Sequence, residues 1–214
     1  MFASVLLCFA VFVGANLHLE SDQEPVRTRD LLGLLSVRPE VTKGYSRKLF
    51  PHWSSRDGCS TRESVLRRDA LVGFPPRAPQ DSCALTAGIW LSVYDNKMLY
   101  KASDVDVDHV VALSEAWRSG ASGWSPGVRK QYANDLSDPR TLRAVTDYVN
   151  MKKGDKDPSK WLPSSAVAVC AYVSDWISIK LRWKLSVDSV EYGALKTLLN
   201  GSCANQTTLP WSAP

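Results

Sequence analysis

The chain has 214 residues, 44% hydrophobic and 22% charged, with a formal charge of +4 and a pI near 8.8. Those values fit one soluble domain with extensions and enough apolar residues for a single core, and the absence of internal repeats excludes a repeat or low-complexity chain. The mild positive charge favours a polyanionic partner without specifying one.

The N-terminus opens with an apolar run from Phe2 to Val13, too short to span a bilayer and followed by the small residues Gly14 and Ala15. Residues 1–15 therefore read as a secretory signal peptide cleaved near Ala15, although no Lys or Arg precedes the run; the alternative is a buried N-terminal strand or helix. No other stretch is long and apolar enough to cross a membrane, so a secreted, membrane-free protein is expected after cleavage. Residues 16–44 mix acids, bases and scattered leucines without a sustained period and read as a propeptide, linker or flexible lead-in. The folded domain is then expected over 45–203, with 204–214 as a C-terminal tail.

"CSTRESVLRRDAL" places Ser60 three residues before Glu63, a capping-box pattern that predicts a short helix with Arg62, Arg67 and Arg68 on its outer face. "GFPPRAPQDS" predicts a proline-rich loop. From Cys83 to Val111 the composition favours strands, with a hairpin connection at "YDNKMLY". "ALSEAWRSG" reads as a helix stopping at Gly120, and Ser125-Pro126 opens another, Pro at the first helical position being pre-set for the turn. "TLRAVTDYV" predicts a strand ending near Thr146. "NMKKGDKDPSKWLP" predicts a short helix or turn, with Asp157-Pro158 opening a further one. Two amphipathic patterns finish the chain, one capped by Ser164 or Ser165 and one stopping at Gly201. Trp161, Trp176 and Trp183 are expected in core or helix packing.

With Cys8 removed alongside the signal, Cys59, Cys83, Cys170 and Cys203 remain, and an even number in an oxidising compartment predicts two disulfides. Three connectivities are open. Cys59–Cys83 with Cys170–Cys203 is favoured, because each bridge would staple a local unit on one side of the acidic-histidine segment. No Cys-x-x-Cys pair suggests a structural zinc site. Asn200 and Asn205 head two N-glycosylation sequons.

Chemistry concentrates at "DVDHVVALSEAW". On a regular strand Asp106 and Asp108 point to one face and His109 to the other; a strand end or bulge there would let Asp108 and His109 converge. Downstream, Asn150 stands at the junction of a predicted strand and helix. A carboxylate and an amide oxygen suit a hard cation such as Mg²⁺, and a neutral imidazole beside it can take a proton from water. Asp106 and Glu115 are candidate supporting groups, and Glu115 is otherwise a solvated helix residue. Arg118, Lys152, Lys153 and Lys156 are candidate phosphate contacts, as are Arg62, Arg67, Arg68 and Arg129, against the plain alternative of solvated turns and helix faces.

"DVDHVVALSEAWRSGASGW", "RKQYANDL", "LRAVTDYVN" and "KGDKDPSKWLP" resemble the secreted bacterial and fungal HNH endonucleases, related to the C-terminal nuclease domain of GmrSD-type enzymes. The likeness extends to "GCSTRESVLRRD" and "YVSDWISIKLRWKLSVDSVEYGALKTLLNGSC", roughly residues 45–203 in all, and "DVDH" is also similar to the HNH nuclease of RNA-guided CRISPR effectors. The resemblance implies an α+β fold around a ββα-metal core, flanked by N-terminal helix and strands and by C-terminal helices and stapled by disulfides. It implies His109 as general base and Asp108 and Asn150 as ligands of one divalent cation, Mg²⁺ favoured over Mn²⁺. The middle asparagine of such motifs usually precedes the second strand, where this chain has Thr141-Leu142; Asn134 is the candidate to fix the loop in its place. The implied activity is hydrolysis of phosphodiester bonds, DNA favoured over RNA, leaving 5′-phosphate ends. No base-reading motif is visible, so little sequence specificity is expected. The second reading is a catalytically silent secreted effector that binds nucleic acid or a host protein on the same scaffold. A monomer is favoured.

Overall fold

A computed structural model describes residues 24–73, 83–211 and 214. The expected signal peptide, Cys8 and all of the proline-rich loop but Gly73 lie outside the described residues. In chain order the elements are β1 (Val26–Arg27), α1 (Thr28–Leu32), β2 (Ser55–Arg56), β3 (Cys59–Ser60), α2 (Thr61–Asp69), β4 (Ala70–Gly73), β5 (Ala87–Ser92) and β6 (Lys97–Lys101). They continue with β7 (Val105–His109), α3 (Leu113–Arg118), α4 (Pro126–Ala133), β8 (Leu142–Thr146), α5 (Asp147–Lys153), α6 (Ala166–Arg182), α7 (Ser189–Asn200) and β9 (Thr207–Thr208). The architecture is mixed α and β, small antiparallel sheets packed among helices.

The local signals act as their chemistry dictates. Ser60 accepts from the Glu63 backbone N–H while Glu63 accepts from that of Ser60, the reciprocal bonds that start α2. Ser125 accepts from Val128 N at 3.3 Å ahead of Pro126, starting α4. Asp188 accepts from the first turn of α7. The β5–β6 hairpin turns through Asn96 at φ +54°, a left-handed conformation that asparagine tolerates.

The centre of the molecule is the ribbon of β7 and β8, paired antiparallel in unbroken register from Val105 opposite Thr146 to His109 opposite Leu142. Its alternation serves two cores. Val105, Val107, Leu142 and Ala144 face one cluster with Val65 and Leu66 of α2, Trp90 of β5 and Leu99 of β6. Val145, on the other face, joins the larger cluster built from Phe50, Tyr132, Tyr172, Trp176 and Trp183. Trp176 and Trp183 are buried as expected of packing residues, and Trp161 packs edge-on against Tyr94 and Tyr172. The disulfides are Cys59–Cys83 and Cys170–Cys203, with Cα separations of 5.3 and 5.2 Å.

Three expectations need correction. The lead-in is not separate from the domain: Leu31, Leu32 and Leu35 are buried in the larger core, and α1 packs on α6 and α7. Nor is 204–214 a free tail, because Thr207 and Thr208 pair with Arg27 and Val26. Three scattered leucines have no period to read, yet α1 buries Leu31 and Leu32 and the turn after it buries Leu35. Residues 70–73, read as the end of a helix and the start of a loop, form β4 on the edge of the β5–β6 sheet. At Asp157-Pro158, where a helix or turn was expected, the chain makes a turn, in which the Asp157 carboxylate accepts from Ser159 N at 2.8 Å and Lys160 at 2.5 Å. If residues 28–35 belong to the core, Leu32→Ala should lower unfolding free energy by about 2–5 kcal/mol. A denaturant midpoint indistinguishable from wild type would refute that assignment.

Candidate active site

The ribbon ends at His109, and the end rather than a bulge is what brings neighbouring side chains to one place. Asp108, His109 and Asn150 line a single cleft of about 190 Å³, together with Tyr45, Arg47 and Asp155. α5 crosses the Asp106/Asp108 face of the ribbon. Asn150 is the fourth residue of α5, not its first; Thr146 caps the helix and Asp147 opens it.

The two aspartates have separate partners. Asp106 accepts from Asn150 Nδ2 at 3.1 Å, which fixes the amide plane, and among the described residues no donor reaches Asn150 Oδ1. Asp108 is buried, accepts from Tyr94 Oη at 2.7 Å and lies 3.0 Å from Lys153 Nζ. Burial pushes the Asp108 carboxyl up, and the Lys153 ammonium opposes that shift. Tyr94 is held well above its ordinary range, first by burial and then by the Asp108 charge. Lys153 is therefore not a surface phosphate contact. Its side chain is wholly buried, and its ammonium donates to both Asp108 and the His109 carbonyl oxygen, the latter at 3.1 Å. The lysine run in the sequence conceals this, because alternation along a single helical turn sends Lys152 to solvent and Lys153 to the interior.

His109 is also buried, with its ring 5.6 Å from that of Trp53 and 6.2 Å from that of Tyr132. Its Nε2 lies 3.0 Å from the carbonyl oxygen of Ala133. A carbonyl only accepts, so Nε2 carries the proton and Nδ1 keeps its lone pair. Burial drives the imidazole down to about 3, an effect the Ala133 bond offsets only in part. The ring is neutral throughout the physiological range.

The loop that presents Ala133 is fixed by the next two residues. Asn134 Oδ1 accepts from Ser54 N and Thr61 Oγ1, each at 2.8 Å, while Nδ2 donates to Pro51 O and Lys130 O, each at 2.7 Å. Every hydrogen-bonding site of the amide is used. Asp135 accepts from Thr141 Oγ1 at 2.9 Å, from Ser137 Oγ at 2.6 Å and from Trp183 Nε1 at 3.2 Å. Thr141, standing where an asparagine was looked for, ties that loop to the start of β8. Asn134 thus does not line the cleft; it holds the backbone that orients His109.

The remaining candidates divide. Glu115 is not solvated: it is 1% exposed and paired with Lys180 Nζ at 2.7 Å and Arg118 Nη2 at 2.9 Å. Arg118 is occupied by Glu40, Glu115 and Asp155, so it clamps the cleft rim rather than waiting for phosphate. Gly154, at φ +55°, turns the chain out of α5 to deliver Asp155 to that clamp. Arg62 and Arg68 donate to backbone carbonyls of Val105 and Leu142, and Arg129 to that of Leu49. Lys152 lies over the Tyr148 ring at 4.5 Å and Lys156 donates to Lys152 O; both are exposed and neither lines the cleft. Asn200 and Asn205 are exposed. Missed from the sequence were Arg47 and Tyr45 of the cleft and Tyr94 behind Asp108. Neighbours far along the chain decide their positions, and their types carry no local signal.

Two substitutions and a titration check this geometry. Lys153→Met leaves a buried carboxylate without its cation and should cost about 3–5 kcal/mol, whereas Tyr94→Phe, losing one hydrogen bond, should cost about 1 kcal/mol. Equal midpoints for the two variants in urea would contradict a buried ion pair. Because the His109 pKa lies below its unfolded value, acid protonates the unfolded chain first. Stability should fall from about pH 6.5 toward about pH 3 by up to about 1.4 kcal/mol per unit. His109→Gln should lose that part of the slope; an identical pH–stability curve would show that the imidazole titrates freely.

The model of the family "GmrSD restriction endonucleases, C-terminal domain" matches residues 73–197, more than half of the chain. An uncharacterized secreted protein of Arthroderma benhamiae is 48% identical over 174 residues, covering 80% of this chain and 83% of the relative. No solved structure matches. The chain is secreted, as that relative is, and no helix among the described residues is long and apolar enough to cross a membrane. Its matched segment contains β7, β8 and α5 with the cleft residues Asp108, His109 and Asn150, and the chain belongs to the family of GmrSD restriction endonuclease C-terminal domains.

Proposed function

We propose that this chain is a secreted endonuclease of the HNH type, in which β7, β8 and α5 form a ββα-metal site that hydrolyses phosphodiester bonds, DNA favoured, with little sequence preference. One observation carries the reading. A buried imidazole with its proton fixed on Nε2 shares a cleft with a carboxylate and with an amide whose oxygen is unengaged.

The Asp108 carboxylate and the Asn150 Oδ1 are hard oxygen donors and fit a small divalent cation that keeps most of its water, Mg²⁺ before Mn²⁺. Among the described residues no cluster of three His, Cys, Asp or Glu is present, in keeping with two protein donors rather than a closed cage. When bound, such an ion supplies Lewis-acid stabilisation of charge on the phosphate and on the departing oxygen. Lys153 keeps Asp108 in place and offsets the desolvation of its charge, and Asp106 sets the rotation of the Asn150 amide.

His109 accepts a proton from water at Nδ1 as that oxygen attacks phosphorus in line and the P–O3′ bond breaks; solvent water protonates the departing O3′, leaving a 5′-phosphate and a 3′-hydroxyl. The Ala133 carbonyl and the Trp53 and Tyr132 rings hold the imidazole in the orientation this requires. An imidazole so reluctant to charge in the free protein is made more basic by the phosphate anion that arrives with the substrate. Nothing in the cleft reads a base edge, which supports broad sequence tolerance. Exposed Asn200 and Asn205 are proposed as glycan acceptors.

The test is cleavage of plasmid DNA and of RNA by the purified protein with Mg²⁺ or Mn²⁺. His109→Ala should slow it by about 10²–10⁴-fold, and a chelator should abolish it. Undiminished nicking by folded His109→Ala would reject the base; salt-dependent binding without product in either ion would favour the silent-effector reading instead.

A further inference from the structure

The charges that line the cleft do not cancel. Asp108 is paired with Lys153 behind it, and Asp155 with Arg118 at the rim, a guanidinium shared with Glu40 and Glu115. The remaining cleft-lining charge is Arg47, whose side chain is exposed and for which no carboxylate lies within ion-pairing distance among the described residues. A cleft with one uncompensated guanidinium beside a neutral histidine is built for an anion, and a guanidinium matches phosphate oxygens better than any other side chain does.

Arg47 is held there by a rigid segment. It begins a single turn of 3-10 helix, Arg47–Leu49, whose end is pinned by Phe50, wholly buried between Tyr45, Trp117 and Tyr132. Arg129 Nε donates to Leu49 O at 3.1 Å, and His52 Nδ1 donates to Phe50 O at 2.8 Å.

We propose that Arg47 is the substrate-binding residue that seats the scissile phosphodiester, donating from its guanidinium to a non-bridging phosphate oxygen opposite His109. This rests on the nuclease reading above and adds a binding residue from outside the matched segment. Two measurements test it on the full secreted chain. In plasmid cleavage, Arg47→Ala should lower kcat/KM by about 10–100-fold with Arg47→Lys between it and wild type, while Lys196→Ala, exposed on α7 away from the cleft, is unchanged. In anisotropy with a labelled DNA oligonucleotide under chelator, Arg47→Ala should weaken binding and reduce the slope of log K against log salt by about one. Wild-type cleavage and an unaltered salt slope in Arg47→Ala would overturn the proposal while leaving the nuclease reading intact. If wild type binds the oligonucleotide without cutting any nucleic acid, the nuclease reading fails, and the salt slope alone decides whether Arg47 meets a phosphate. No binding by wild type overturns both.

Discussion

A single ammonium, that of Lys153, holds the site together. It lies wholly buried between the Asp108 carboxylate and the His109 carbonyl oxygen, so one cation fixes the side chain of one residue and the backbone of the next. Replacing such a pair with apolar groups is often neutral or stabilising, which means its value here is positional rather than energetic. With Lys153 in place, α5 cannot slide along the ribbon without stranding a buried charge. Asn150, one turn earlier on the same helix, is thereby brought to Asp106 and to the cleft.

A second buried charge cluster braces the other side of the site. Lys180 of α6 contacts Glu115 of α3 and Glu191 of α7, and Glu115 passes on to Arg118. The two cations are shared among Glu115, Glu191, Glu40 and Asp155, and burial lifts Glu191 to about 7. Arg118 then reaches Asp155 at the mouth of the cleft. The helices α6 and α7, which contribute nothing to the cleft's lining, therefore help fix the position of its rim through α3. The C-terminal helices read from their period as packing elements also carry this polar frame, because α6 buries Ser174, Ser178, Lys180 and Arg182 along with its apolar face.

Several features were legible in the sequence. The capping box at Ser60 and Glu63, the Ser125-Pro126 start, the end of β8 at Thr146 and the stop at Gly201 are all written in contiguous residues. The convergence of Asp108, His109 and Asn150 on one cleft was expected from residue type together with the family resemblance, and their roles remain with the proposal above. Less legible was the environment of charges. Lys153 and Lys152 are adjacent and identical, yet one is buried and the other exposed; Glu115 and Arg118 read as a solvated helix face and are locked into a network. An exposed-looking charge is recognised as buried only when its partner, 40 to 80 residues away, is known to lie beside it.

What the residues by themselves determined is local: which segments are helix or strand, where they begin, and that one acidic-histidine segment is the candidate for the site. These follow from bonds between neighbours three or four positions apart. Tertiary packing alone decided that α1 and its leucines belong to the core, that Asn134 braces the histidine from a distance rather than lining the cleft, and that Arg47 shares the cleft with His109. Each of those depends on contacts across more than fifty residues or on a loop's exact path, and the free energy of such contacts is set by burial and partner geometry that no short window of sequence contains.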